Sequence, residues 1–133
     1  YGDGSNIRDW LYVMDHCEGI YKTMLKGKTG EVYNIGGNNE KTNKYIVNKI
    51  CIILDDVFPV EKNKNMPKNM NSYSELIENV KDRPGHDFRY SIDTTKIKEQ
   101  LNWEPAETFE SGILKTVNWY IENLDSLKDS SLD

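Results

Sequence analysis

Cysteine is scarce in this sequence. It occurs twice, at Cys17 and Cys51, with no Cys-x-x-Cys pair and no cluster with histidine. That excludes a disulfide-framed secreted scaffold and leaves no donor set for a structural zinc. Both thiols fall on predicted helices among apolar neighbours and are expected to be buried, reduced thiols of a cytoplasmic protein. Long apolar runs are also lacking; none approaches the roughly 20 residues that a membrane-spanning helix needs, so no membrane partner is expected. Cationic excess is absent as well: 17 lysines and arginines face 22 acidic residues, for a net charge of −5. Broad nucleic-acid binding needs the opposite balance. A small anion held by well-placed arginines remains compatible with it. The start, Tyr1-Gly2-Asp3-Gly4-Ser5, has no basic stretch followed by an apolar one, so it is not read as a signal peptide and looks like the middle of a protein. A last absence concerns chemistry. No Gly-x-Gly-x-x-Gly occurs, and Gly27-Lys28-Thr29-Gly30 follows a helix and precedes a strand, the wrong order for a pyrophosphate cradle.

What is present reads as one soluble α/β unit, a size of 133 residues allowing a single core. Alternation over Ile7 to Val13 predicts a strand. Asp15 is placed to cap a helix running to about Lys26, with Cys17, Ile20, Tyr21, Met24 and Leu25 on one face and Gly27 closing it. Glu31 to Ile35 predicts a short strand ended by Gly36-Gly37. Thr42 or Asn43 opens a second helix, whose Ile46, Ile50, Ile53 and Leu54 recur at helical spacing until about Asp56. Strand, helix, strand, helix suggests parallel strands. The stretch Pro59 to Asn71, rich in Asn and Lys, reads as an exposed, mobile loop. Ile77 to Val80 looks extended, Asp82 to Asp87 is a turn-rich loop, and Phe88 to Ile92 is a candidate short strand. Asp93 caps a third helix over Thr94 to Leu101. Thr108 caps a fourth, with Ile113, Val117, Tyr120, Ile121 and Leu124 as its core stripe. The tail from Ser126 is polar and expected to fray.

Candidate chemistry gathers at few positions. Arg8 opens a strand beside Asp9 and Trp10, and Arg83 sits in a Pro-Gly loop with His86. A guanidinium offers a planar fork of donors that matches phosphate oxygens, so converging arginines would suit a diphosphate. His86 could add a hydrogen bond. Asn43 offers an amide that both donates and accepts, as base or ribose recognition requires. The bland alternative pairs Arg8 with Asp9 or Asp15, and Arg83 with Asp82 or Asp87. Tyr45 and Lys49 make a Tyr-x-x-x-Lys spacing, but beside helix-capping residues and with no glycine-rich turn upstream it reads as coincidence. His16, in the first turn of a helix, reads as structural or solvent-facing.

At these residues the sequence resembles a known family. Ile7-Arg8-Asp9-Trp10-Leu11-Tyr12-Val13-Met14-Asp15-His16 and Glu31-Val32-Tyr33-Asn34-Ile35-Gly36-Gly37 are similar to segments of extended short-chain dehydrogenases/reductases. Three further stretches narrow the resemblance to the dTDP-glucose 4,6-dehydratases: Asn38-Asn39-Glu40-Lys41-Thr42-Asn43, the run from Asp82 to Asp93, and Glu107-Thr108-Phe109-Glu110-Ser111-Gly112-Ile113. It covers Tyr1 to about Asn123. The Asn- and Lys-rich stretch is longer than the family pattern, and the end after Leu124 departs from it.

The resemblance implies a carboxy-terminal half of such an enzyme: an α/β chain made of a partial Rossmann-like layer plus a small substrate-binding α/β domain. Residues 1–58 would supply the last Rossmann-associated units, 59–72 the exposed loop, 73–125 the substrate-domain segment and closing helices, and 126–133 the polar tail. It implies that Arg8 and Arg83 hold the diphosphate of a dTDP-sugar, that Asn43 and His86 help bind the nucleotide part, and that Tyr1 lies beside the substrate. The family uses NAD to oxidise the sugar at C4, eliminates water across C5 and C6, and returns the hydride to C6. Its catalytic groups and its NAD-binding half belong to the amino-terminal part, so no catalytic or cofactor-binding residue is expected here. The expected partners are that missing half and, for the full-length protein, a second copy in a homodimer. Exposed apolar helix faces should follow. Two alternatives stand beside this reading: a related enzyme acting on a UDP- or GDP-sugar, such as an epimerase, a decarboxylase or a GDP-mannose dehydratase, and a truncated binding module without catalysis.

Overall fold

A computed structural model describes residues 1–125. The expected tail from Ser126 lies outside the described residues. In chain order the elements are strand β1 (Ile7–Asp9), helix α1 (Val13–Lys26), strand β2 (Glu40–Thr42), helix α2 (Asn43–Val57), single 3-10 turns at Val60–Lys62 and Tyr73–Leu76, helix α3 (Thr95–Leu101) and helix α4 (Phe109–Glu122).

The sheet departs from the expected parallel alternation. Among the described residues it is two-stranded and antiparallel, with Ile7 opposite Thr42, Arg8 opposite Lys41 and Asp9 opposite Glu40. Residues 88–90 lie along the other side of β1. There the Ile7 amide donates to the Phe88 carbonyl at 2.8 Å and the Tyr90 amide to the Ile7 carbonyl at 3.1 Å. The contact is only an isolated parallel bridge from Ile7 to Arg89, short of the strand expected over Phe88 to Ile92. The strands expected at Glu31 to Ile35 and Ile77 to Val80 do not form. A strand exists only where a neighbour takes up its backbone groups. Tyr33 and Ile35 instead turn their side chains onto α3 and Trp103.

Helix boundaries follow local chemistry more closely. Thr42 caps α2 by accepting from the Tyr45 amide at 3.1 Å, and Thr108 caps α4 by accepting from the Ser111 amide at 3.2 Å. At α3 the cap position is Thr94, while Asp93 accepts from the Thr95 amide at 2.9 Å. Asp15 is a correction: α1 begins at Val13, so Asp15 lies inside its first turn rather than at the cap. Its buried carboxylate accepts instead from the Glu107 amide at 3.0 Å and ties the approach of α4 to α1. Gly27 does end α1, for a steric reason, since a Cβ there would sit 2.3 Å from the Thr23 carbonyl oxygen.

The interior consists of small clusters. Ile97, Leu101 and Trp103 pack with Leu11, Tyr33 and Ile35. Cys51, Val60 and Tyr73 pack with Leu54, Phe58 and Met66. The second cluster corrects the expectation of a free loop after Pro59. Its lysines are exposed as expected, but Val60 and Tyr73 are buried, and the Tyr73 hydroxyl donates to the Phe58 carbonyl at 2.8 Å. Asp55 adds a further anchor, accepting from the Tyr73 amide at 2.9 Å. Cys51 is buried as expected, its thiol pushed up by burial and by the Asp55 charge. Cys17 is exposed instead. It shares the outer side of α1 with Ile20, Tyr21, Met24 and Leu25, all exposed. On α4, Val117 is buried, but Tyr120, and Leu124 just past the helix, both of the expected core stripe, are exposed. No helix among the described residues is long and apolar enough to cross a membrane, and none of them form a metal-ligating group.

Candidate functional site

The Arg-Asp pair of β1 sends its side chains to separate tasks. Asp9 organises the turn before β2. Its Oδ2 accepts from the Gly37 amide at 2.8 Å, and its Oδ1 from the Asn39 amide at 2.7 Å. Glycines at 36 and 37 permit this approach, because a Cβ on Gly36 would lie 2.6 Å from Asp9 Oδ2 and one on Gly37 2.3 Å from the Trp10 carbonyl oxygen. Asp9 is therefore unavailable to Arg8, and so is Asp15.

Arg8 reaches the other way, into the loop that precedes residues 88–90. Its Nη1 donates to the Ile7 carbonyl at 2.6 Å, and its Nη2 donates to the Asp87 carbonyl at 2.9 Å. Nη2 also meets His86 Nε2 at 2.9 Å. The guanidinium carbon stands 4.4 Å from the centre of the Tyr90 ring, within cation–π range. Every one of these acceptors is formally neutral, and Arg8 makes no ion pair among the described residues.

The loop is fixed from its far side. Asp82 Oδ1 lies 2.7 Å from His86 Nδ1 and accepts from the Arg83 amide at 2.9 Å. The bond to His86, chiefly, holds the Asp82 carboxyl below the usual carboxylate range, with burial opposing. Tyr90 donates its hydroxyl to Asp87. That bond, above all, raises the phenol's pKa, while the charges of Arg8 and Arg83 pull it down. Arg83 therefore acts on the same phenol as Arg8, and its guanidinium makes no hydrogen bond or ion pair among the described residues. Tyr1 stands edge-on to the His86 ring at 6.4 Å between centroids.

Of the residues singled out in the sequence, Arg8 and His86 are in contact, Tyr1 flanks them, and Arg83 belongs to the same loop. Asn43 is joined indirectly. Its backbone N–H donates to the Asn6 carbonyl at 2.9 Å, and Asn6, whose side chain is buried, donates through Nδ2 to the Asp87 carbonyl at 3.2 Å. Asn6 and Tyr90 escaped the sequence reading. Tyr90 lies within the Asp82 to Asp93 run but was assigned no role, and the importance of both comes from chain segments more than 80 residues apart meeting. Tyr45 packs on Phe109, with ring centres 5.8 Å apart. His16 is exposed.

A separate apolar cavity of about 740 Å³ opens between the start of α1, α2 and α4, walled by Tyr12, Ile46, Phe109 and Trp119. None of Arg8, Asn43, Arg83 and His86 lines it.

Residues 1–116 match the family model described as GDP-mannose 4,6 dehydratase. The chain belongs to that family. Within it, the chain is similar to curated dTDP-glucose 4,6-dehydratases, as the sequence resemblance implied. It is 52% identical to the one from Neisseria gonorrhoeae, over 92% of this chain and 34% of that protein. Two solved dTDP-glucose 4,6-dehydratases share its fold. One, from Bacillus anthracis in complex with NAD, superposes with a TM-score of 0.74 at 47% identity, covering 94% of this chain and 34% of that one. The other, from Streptomyces venezuelae with NAD and TYD bound, gives 0.74 at 37% identity, covering 95% and 34%. The chain thus spans about a third of the length of the family members it matches, and corresponds to their carboxy-terminal part. Its fold is accordingly an α/β portion of an extended short-chain dehydrogenase/reductase.

Family membership raises NAD, and the residues in hand can be tested against it. Pyrophosphate binding in this fold class needs a glycine-rich turn leading into a helix N-terminus. The helices here are entered from Tyr12, Thr42, Thr94 and Thr108, and no Gly-x-Gly-x-x-Gly precedes any of them. These residues do not fit NAD. What they could offer an anion is the Arg8 fork, held by neutral partners, with donor capacity still open on Arg83.

Proposed function

We propose that this chain is the carboxy-terminal, substrate-gripping part of a dTDP-glucose 4,6-dehydratase, which as a complete enzyme converts dTDP-glucose to dTDP-4-keto-6-deoxyglucose and water with NAD. The observation that carries the reading is the state of the Arg8 guanidinium. It is held by neutral acceptors and an aromatic face and is paired with no carboxylate, beside Arg83, which is also without an ion pair. A diphosphate supplies the negative charge that both lack. By the resemblance we assign Asn43 to the nucleotide part and Tyr1 to a place beside the substrate. NAD and the reacting groups belong to the part of the enzyme outside this chain, so no catalytic step is assigned to these residues. We also infer from the resemblance a cytoplasmic enzyme that works as a homodimer, with its amino-terminal portion packed on this one.

The matching family model carries a GDP-mannose name, so a GDP-sugar is the second reading. A thermal melt with dTDP, UDP and GDP in turn separates the two. A ligand that binds only the folded form raises the midpoint, by about 2.7 kcal/mol of stability at a hundredfold excess over its dissociation constant. The dTDP shift should be largest, and Arg8→Ala and Arg83→Ala should each abolish it. A larger GDP shift would move the assignment to the second reading, and indifference to all three would reject a nucleotide site.

A further inference from the structure

The hydrogen bonds around His86 determine which of its nitrogens carries the proton. A guanidinium has donors only. Arg8 Nη2 lies 2.9 Å from His86 Nε2, so Nε2 must present its lone pair. The proton of a neutral ring then sits on Nδ1, and Nδ1 lies 2.7 Å from Asp82 Oδ1. A carboxylate at that position accepts it. The His86 side chain is 7% exposed, so solvent has little access to either nitrogen. Asp82 is itself held, because the same Oδ1 accepts from the Arg83 backbone amide.

Arg8 depends on this arrangement. With the proton on Nε2, an imidazole N–H would point at a guanidinium N–H, and the donor pair would repel. The remaining supports of Arg8, the carbonyls of Ile7, Asp87 and Phe88 and the face of Tyr90, do not select a tautomer. Only Asp82 does.

We propose that Asp82 is a positioning residue for anion binding: it locks His86 in the Nδ1–H tautomer, and that tautomer holds the Arg8 fork in its binding orientation. The proposal deepens the nucleotide-sugar reading and rests on it for the identity of the anion. It reaches the ligand through His86 and Arg8, not by contact, which suits the negative charge of Asp82 in a site for a negatively charged group. The logic is that of a carboxylate orienting a histidine whose far nitrogen does the work.

The test uses the complete protein with 15N-labelled histidine, the His86 signals being assigned by their loss in His86→Gln. Without ligand and at mildly alkaline pH, the imidazole spectrum should place the proton on Nδ1. Asp82→Ala should move it to Nε2 and weaken dTDP binding about tenfold or more. Asp82→Asn, which keeps an acceptor oxygen, should retain the Nδ1 proton and most of the affinity. A wild type with its proton on Nε2 would overturn the proposal, as would an Asp82→Ala variant that changes tautomer yet binds dTDP normally. Because the tautomer is read on ligand-free protein, the two ideas fail separately. A wild type with Nδ1–H that ignores dTDP would reject the nucleotide reading and support the lock, whereas tight dTDP binding with the proton on Nε2 would do the reverse.

Discussion

Helices α1 and α3 were both legible as helices, yet their apolar sides end in opposite situations. The apolar side of α3 is closed: Ile97 is 0% exposed and Leu101 4%, both against Trp103 at 1%. The outer side of α1 is open, with Ile20, Tyr21, Met24 and Leu25 all more than half exposed. Only the inner side of α1 is packed, at Gly19, where a Cβ would come within 3.0 Å of the Trp103 ring. Periodicity reports that a face wants cover. It does not report where the cover comes from. For α3 the cover is local, supplied by Trp103 two residues past the helix and by the segment containing Tyr33 and Ile35. For α1 nothing among the described residues supplies it, which accords with a chain that matches a third of longer proteins.

That contrast can be broken by substitution. The largest effect is expected at Trp103→Ala, which removes the centre of the closed cluster and should cost about 3–5 kcal/mol in a denaturant melt. A loss under about 1 kcal/mol would mean that α3 is not a core element. Gly37→Ala comes next. Its new Cβ would collide with the Trp10 carbonyl, so a loss of about 1–3 kcal/mol is expected, together with weaker anion binding as β1 shifts. Removing the α4 cap with Thr108→Ala should cost about 1 kcal/mol. On the open side, Ile20→Ser and Met24→Ser should stay within about 0.5 kcal/mol in this chain. A larger loss there would show that the face is covered, and the contrast with α3 would fall.

The smallest effect concerns surface ion pairs. Hydrogen bonding to Lys98, and then its charge, holds the Glu104 carboxyl below its ordinary range, and Lys96 does the same for Glu31. A carboxyl lowered in the folded state stabilises the fold above its ordinary pKa, and that contribution disappears as pH falls through the lowered value. The melting midpoint should therefore stay level from about pH 7 to about pH 5 and decline slightly below about pH 4. The pair Lys98–Glu104 is 63% and 65% exposed, so Lys98→Met should leave the neutral-pH midpoint nearly unchanged. A marked drop would show that the pair is buried by something outside this chain.

The candidate site was half legible. Arg8 and His86 could be singled out because an arginine at a strand start and a histidine in a Pro-Gly loop are unusual settings for surface charge, and the structure puts them 2.9 Å apart. The carboxylates weighed as ion-pair partners of Arg8 and Arg83 each bond to something else, Asp82 to the His86 ring and the Arg83 backbone amide. Asp9 is taken by the amides of the Gly37 turn, Asp15 by the Glu107 amide, and Asp87 by the Tyr90 hydroxyl. Local spacing cannot rank such competitors, because the winning donor comes from a distant segment. The same limit explains the misplaced strands. Alternation at Glu31 to Ile35 satisfies a strand pattern, but a ladder needs a neighbour.

By itself the sequence determined the helices and most of their caps, since these rest on groups within a turn of one another: Thr42 with the Tyr45 amide, Thr108 with the Ser111 amide, and Gly27 against the Thr23 carbonyl. It also determined the family, through the motifs of the Arg8 and Arg83 stretches. Tertiary structure alone decided which segments pair, that β1 meets β2 antiparallel, and that Asp82, His86, Arg8 and Tyr90 form one connected network. The reason is range. A cap is settled by atoms a few residues apart, whereas the network joins residues 8 and 86 and exists only once the chain between them has folded.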